Sequence, residues 1–305
     1  MGDAPYRRIH VVVNPASGKD EPVLNVLNDV FHRHGVDWDV SITKKYGDAA
    51  AQAKAALANG VDLVAGYGGD GTQHELANAV LEVADAVGGH ARIGILPGGT
   101  GNGFAREMGV PGTLREATEV LCRSDRVREI DVGRLLEVGN VDVPDRYFIQ
   151  RLYLGVEPEE QTSREMKDRY GVFAYAVNMA QRGPGKDVSY RAEVDGEVSE
   201  FHASRVYVVN SGMMGSGLRI THRYAVDDGL LDAFAIDGRT RDTMIAAASR
   251  FLDLHTPSAS RYHRQCRTLR IETTPDQPVW ADGEYIGRTP ISIEVAPRAL
   301  SVVVP

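Results

Sequence analysis

Cysteine, long apolar runs and excess positive charge are all scarce in this chain, and each scarcity closes off a class of function. Its 305 residues include two cysteines, Cys122 and Cys266, far apart and in no CxxC pair. Neither a disulfide framework nor a zinc site fits, and a reducing cytoplasm is the expected compartment. No stretch approaches the roughly 18 consecutive apolar residues needed to span a bilayer, and MGDAPYRRIH runs into a strand pattern with no apolar leader. Any membrane contact is therefore expected to be peripheral and reversible. Lys and Arg number 34 against 42 Asp and Glu, a net charge of −8, which is the wrong sign for a phosphate-backbone binder and argues against nucleic acid. The local exception, Arg261, His263, Arg264, Arg267 and Arg270, reads as a solvated surface. Repeats and low-complexity tracts are missing too.

What remains is ordinary globular content, 43% hydrophobic and 25% charged, at a length that suits two domains. Residues 9–13, 37–43, 62–65 and 91–96 read as strands, separated by helical patterns at 21–34, 48–59 and 73–87. Alternating strand and helix predicts an α/β domain with a mostly parallel sheet covered on both faces. From about Ile130 the pattern changes to runs such as YFIQRLYLG, SYRAEVDGE and ALSVVVP, which predict a mainly antiparallel β domain. Two helical inserts, near 162–181 and 241–254, are expected within it. The boundary is expected in SDRVRE, giving a nucleotide-binding domain over 1–125 and a β-rich domain over 126–305.

The first domain carries three loops, each following a strand: NPASGK from Asn14, GGDGT from Gly68 to Thr72, and PGGTGNGFA from Pro97 to Ala105. Glycine lets backbone amides approach phosphate oxygens closely, and a helix starting there adds its positive end. In an open α/β sheet such loops lie at the carboxyl ends of the strands, where ligands bind. The familiar fingerprints fail here. Gly18-Lys19 lacks both the upstream Gly and the following Ser or Thr of a P-loop, and the strand after GxGxxG ends in Leu96-Pro97 where a dinucleotide site needs an acid. Asp70 inside the loop would repel phosphate unless a cation lay between them.

In the second domain Asp227, Asp228 and Asp232 surround a GLL turn, a pattern that suits either Mg2+ or a plain hairpin. WADGE, from Trp280 to Glu284, is likewise a DG hairpin signal with two acids in one turn. A positioned carboxylate there would take the proton of an attacking hydroxyl. Phe173, Ala176 and Met179 share a helical face and Met213 sits in NSGMMGSG; such apolar stripes belong to a core more often than to a ligand wall.

Taken in order, NPASGK, GGDGTQHELANAV, GILPGGTGNGFAREMGVP, IDVGR, AVDDGLLDAF and WADGE resemble the soluble diacylglycerol kinase family of lipid kinases. That family is similar to sphingosine kinases and more distantly to NAD kinases and phosphofructokinases. The resemblance spans nearly the whole chain, with His74 standing where the family usually has Asn and His222-Arg223 where a Pro is common. It implies transfer of the γ-phosphoryl of ATP to a lipid hydroxyl, with Mg2+, at a membrane surface. ATP would be held by Asn14, Pro15, Ala16, Ser17, Gly18, Thr43, Gly68, Gly69, Asp70, Gly71, Thr72, Gly98, Gly99, Thr100 and Asn102. Asp70 would join nucleotide to metal. The metal would take the Asp228 side chain and the Ala225 and Leu230 carbonyls. Asp282 and Glu284 resemble the proton-accepting pair, Glu284 being preferred as base, and the 162–181 helix, with Phe173, Ala176, Met179 and Met213, resembles the lipid-site insert. The acceptor stays open among diacylglycerol, a sphingoid base and another glycerolipid, and a homodimer stays open too. Two alternatives remain: a kinase of the NAD-kinase type acting on a soluble acceptor, and a non-catalytic nucleotide-binding regulator.

Overall fold

The computed structural model describes residues 4–17, 20–156, 188–214, 218–219, 225–236 and 262–305. Both expected helical inserts lie outside them. The chain divides into two compact units, one of residues 1–130 with 298–305 and the other of residues 131–297. The last eight residues thus group with the first unit, whereas the sequence pattern placed everything after 125 in the second domain.

In the first unit β1 (Arg8–Val13), β2 (Asp37–Ile42), β3 (Leu63–Gly68) and β4 (Ala91–Pro97) alternate with α1 (Val23–His34), α2 (Asp48–Ala58) and α3 (Asp70–Val87), followed by α4 (Gly103–Glu107) and α5 (Leu114–Arg123). The strands pair in parallel in the order β2-β1-β3-β4, and Leu300–Val302 continue the sheet beside β4. Every residue of β3 is buried, the mark of a strand covered on both faces; α1 packs with α5, and α2 with α3. Two boundaries differ from expectation by three residues, the others by two or fewer. The strand expected to stop at Ala65 runs on to Gly68, because Gly66 and Gly68 stay in register with Ile95 and Pro97. The helix expected from Gln73 begins at Asp70, since Gly71 falls in the first turn, where the amides lack intrahelical partners in any case.

The second unit is a sandwich of antiparallel strands. Its chain order is β5 (Val127–Val138, which begins in the first unit), β6 (Val141–Phe148), β7 (Arg151–Leu154), β8 (Val188–Val194), β9 (Glu197–Ala203), β10 (Arg205–Val209), β11 (Met213–Met214), β12 (Leu218–Arg219), β13 (Leu231–Ile236), β14 (His263–Cys266), β15 (Thr268–Thr274), β16 (Pro278–Ala281), β17 (Glu284–Arg288) and β18 (Ile291–Val303). One sheet runs β14-β13-β10-β7-β16-β17; the other includes β9-β8-β15-β18, with β5 pairing both β18 and β6. Alternate residues of both sheets, such as Leu152, Val206, Val208 and Val279 from one and Tyr190, Ile271 and Ile293 from the other, fill a single buried core. This bears out the expected fold class: a mostly parallel α/β domain followed by an antiparallel β domain.

Candidate active site

The three loops of the first unit are knitted to one another. Asn14 starts the first, with its amide donating to the Tyr67 carbonyl at 2.9 Å. Its side chain accepts from the Ala16 amide and donates to the Thr72 hydroxyl, both at 3.0 Å. Pro15–Ser17 form a single 3-10 turn, with the Ser17 hydroxyl donating to the Asn14 carbonyl at 2.6 Å. The second and third loops meet where the Gly98 amide donates to the Gly68 carbonyl at 3.0 Å. Gly99 must lack a side chain, since a Cβ there would lie 2.6 Å from the Gly69 Cα. Asn102 then closes the third loop by exchanging hydrogen bonds with the Gly99 backbone at 2.9 and 2.6 Å.

Asp70, which the resemblance would join to nucleotide and metal, has backbone partners of its own. Its two carboxylate oxygens accept the amides of Gly103 and Phe104 at 3.1 and 2.9 Å, at the start of α4. Asn102, the N-cap of that helix, makes no side-chain capping bond, so Asp70 does the capping from another loop. The carboxylate is thus a clasp between GGDGT and TGNGF. The N-cap of α3, Gly69, is also without a side-chain hydrogen bond, leaving the positive end of an 18-residue helix beside the glycine loops, a setting suited to phosphate.

Of the remaining nucleotide candidates, Thr43 follows β2 half-buried, with its amide on the Val13 carbonyl at 2.9 Å, and Thr100 is exposed. Gly18 lies outside the described residues. His74 is buried on α3 with its ring 3.4 Å from the Asn78 amide. Sequence reasoning missed Tyr67. Its hydroxyl donates to Glu21 at 2.8 Å, and its carbonyl takes the Asn14 amide, so one residue brackets the first loop at both ends. Burial and the Glu21 carboxylate push the Tyr67 hydroxyl far above the usual tyrosine range. A Tyr preceding GGD was the available signal, but nothing in the sequence pairs it with Glu21, 46 positions away.

In the second unit WADGE is the hairpin its DG dipeptide predicts. Asp282 and Gly283 have φ of 48° and 95°, the two consecutive positive values of a type I′ turn joining β16 to β17. The two acids are placed differently. Asp282 accepts the Ile149 amide at 2.7 Å on one oxygen, and the Gln150 and Arg151 amides at 3.0 and 2.8 Å on the other. It locks the turn to the segment before β7. Glu284 opens β17, half-buried and opposite Ala281.

The turn bearing the metal candidates is built around Asp131 of the IDVGR motif. Asp131 is completely buried; its amide donates to the Val226 carbonyl at 2.7 Å and its carboxylate accepts the Gly229 amide at 2.6 Å. Ala225 and Asp228 are exposed and Leu230 is half-buried, and the Asp228 carboxylate accepts the Leu230 amide at 3.0 Å. Although exposed, the Asp228 carboxyl is held above the usual carboxylate range, first by loss of hydration and then by the carboxylates of Asp232, Asp131 and Asp227; the Leu230 amide acts the other way. Asp232 is also raised, by burial, against the lowering effect of His263 at 2.8 Å. Surplus negative charge beside carbonyl oxygens suits a hard divalent cation. Among the described residues no group of three or more His, Cys, Asp or Glu could hold a metal, so a cation here would depend on carbonyls and water in addition to Asp228. Met213 opens β11, while Phe173, Ala176 and Met179 lie outside the described residues.

The raised Asp228 carboxyl carries a sign. Such an acid holds its proton more tightly folded than unfolded, so its ionisation penalty is absent below the ordinary value of 3.8 and complete above the raised one. At neutral pH in chelator, Asp228→Asn should therefore melt no lower than wild type. Adding Mg2+ should raise the melting temperature of wild type and leave the variant unmoved, as measured by calorimetry. An equal Mg2+ response in both proteins would remove Asp228 from the metal site.

Comparison with known proteins finds two family domains in succession, the second running on through the residues that group with the first unit. Residues 8–135 match the diacylglycerol kinase catalytic domain, and residues 156–304 match the YegS C-terminal NAD kinase beta sandwich-like domain. Proteins named diacylglycerol kinase from two Staphylococcus aureus strains are 24% and 25% identical over 309 and 310 residues, covering 98% of this chain and 93% of theirs. A crystal structure described as a diacylglycerol kinase from Bacillus anthracis str. Sterne superposes with a TM-score of 0.78 at 24% identity, with 98% of each chain covered. Another chain from that strain reaches 0.81 at the same identity and coverage. Among the described residues no helix is long and apolar enough to cross a membrane.

Proposed function

This chain belongs to the family that joins a diacylglycerol kinase catalytic domain to a YegS C-terminal NAD kinase beta sandwich-like domain, and from that premise we propose that it is a lipid kinase. It transfers the γ-phosphoryl of ATP to the hydroxyl of diacylglycerol or a related lipid. The observation that carries this reading is the clasping of three phosphate-suited loops in the first unit, through Asn14–Thr72, Gly98–Gly68 and Asp70–Gly103. Relatives named diacylglycerol kinase over nearly the full length support a lipid acceptor.

Phosphoryl transfer asks little covalent chemistry of the protein; positioning and charge stabilisation do most of it. The first unit binds ATP, with loop amides, the start of α3 and the Asn14, Ser17, Thr43 and Thr100 side chains on the nucleotide. Mg2+, when bound, neutralises charge on the phosphate oxygens; Asp228 and the Ala225 and Leu230 carbonyls would hold it. Glu284 takes the proton of the lipid hydroxyl as the bond to phosphorus forms. Asp282, through its three amide contacts, fixes the turn from which Glu284 projects. The acceptor is met at a membrane surface, which the enzyme engages reversibly and peripherally.

Thin-layer separation of products from labelled ATP tests the reading. Diacylglycerol, a sphingoid base and another glycerolipid are offered in vesicles and mixed micelles, and NAD in solution. The expected result is a labelled lipid whose yield depends on interfacial presentation, with no labelled NADP. Phosphorylation of NAD and of no lipid would move the protein to the soluble-acceptor branch. ATP binding without any labelled product would make it a nucleotide-binding regulator.

A further inference from the structure

One buried side chain joins the two halves of the second unit's candidate chemistry. Asn210, 1% exposed, donates from Nδ2 to the Asp131 carbonyl at 2.6 Å and to the Ile149 carbonyl at 3.0 Å. Its own amide donates to the Gln150 carbonyl at 2.9 Å. On one side, Asp131 holds the Val226–Gly229 part of the turn that carries Asp228. On the other, the Ile149 and Gln150 amides end on the Asp282 carboxylate. A path of short contacts thus runs from the Asp228 turn through Asp131, Asn210 and Ile149 to Asp282, and Asn210 is its midpoint.

This placement has a cost. Among the described residues the buried Asn210 Oδ1 has no hydrogen-bond partner, and neither has the Nε2 of neighbouring Gln150, itself 2% exposed. Buried amide atoms left unpaired are disfavoured, and an unpaired one in a folded protein calls for a reason. Here the amide is committed through its other atom to two carbonyls from separate segments. An apolar residue of similar size would leave Oδ1 out of account but strand both carbonyls.

We propose that Asn210 is a positioning residue for the transfer step: it sets the turn bearing Asp228 against the turn bearing Asp282 and Glu284. The assignment rests on the lipid kinase reading above. Asn210 bonds to Asp131, Ile149 and Gln150, and it acts through the two turns it spaces. Removing it should therefore disturb cation binding and turnover together while leaving ATP binding, which depends on the first unit, in place.

The test uses the full chain with Asn210→Ala, and with Asn210→Ser, which keeps one donor. Mn2+ binding is read by electron paramagnetic resonance on protein without lipid, ATP binding by calorimetry, and turnover in mixed micelles. Residues behind metal ligands typically contribute about 10-fold to 100-fold to affinity or activity. Losses of that size are expected in both Mn2+ affinity and kcat for Asn210→Ala, smaller losses for Asn210→Ser, and unchanged lipid KM and ATP affinity. Mn2+ affinity and kcat both within about twofold of wild type in a folded variant would overturn the proposal. If Asn210→Ala does not fold, Asn210→Ser decides by the same criteria. A wild type that binds Mn2+ but phosphorylates no lipid would retire the lipid kinase reading, and the Mn2+ comparison alone would then judge Asn210.

Discussion

Glu284→Gln should lose about 100-fold to 10,000-fold in turnover, the usual cost of removing a general base, while still binding ATP and melting as wild type does. Glutamine preserves the shape of the side chain but has no carboxylate to take the hydroxyl proton. Asp282→Asn is the informative contrast. Its carboxylate accepts three backbone amides, and a carboxamide turns one acceptor atom into a donor facing other donors. That substitution should lower stability by about 2–3 kcal/mol, because hydrogen bonds to a charged acceptor are the stronger kind. Its activity should fall as a consequence of the displaced turn. Melting curves beside single-turnover rates separate the two acids. Normal turnover in both variants would reduce WADGE to a hairpin. An Asp282→Asn protein that keeps its melting temperature but loses turnover would move the proton-accepting role to Asp282.

The contrast between these two acids shows what the sequence could and could not disclose. The DG dipeptide specified a two-residue turn, and the turn is there with both residues at positive φ. No local pattern assigns separate roles to two acids two apart, although Glu284 is the one preferred as base. What distinguishes them is a set of partners at 149–151, more than 130 positions away, and no local pattern encodes such a pairing. The same holds for Asp131. IDVGR stood among the motifs, yet its Asp became central only once the Val226–Gly229 backbone was found wrapped around it. The strand and helix periods were local and therefore legible. The departures came where glycines sit in register or in a first helical turn, where the usual breaker reading does not apply. The return of residues 298–305 to the first unit was illegible for a similar reason: ALSVVVP has the composition of a strand in either sheet, and composition does not name the neighbour.

Asp70→Ala should weaken ATP binding by about tenfold or more even in chelator, because the clasp that shapes the loops is made to the Gly103 and Phe104 backbone amides and needs no cation. Two readings of Asp70 make opposite forecasts here. As a bridge between nucleotide and metal, it would contribute only when Mg2+ is present, and metal-free ATP would bind the variant as well as wild type, or better for the loss of a repelling charge. As the acceptor of the Gly103 and Phe104 amides, it holds the third loop against the second whether or not metal is there. Its loss uncaps α4, a five-residue helix whose own N-cap makes no side-chain capping bond. A missing cap typically costs about 0.5–2 kcal/mol, so the variant should also melt lower while remaining folded. Asp70→Asn should fall between the two, since its single carbonyl oxygen can keep one of the amides. Calorimetric titration of ATP into each variant, with and without Mg2+, gives the decision. A defect confined to the Mg2+ titration would return Asp70 to the metal, whereas a defect of equal size in both would fix it as the clasp between GGDGT and TGNGF.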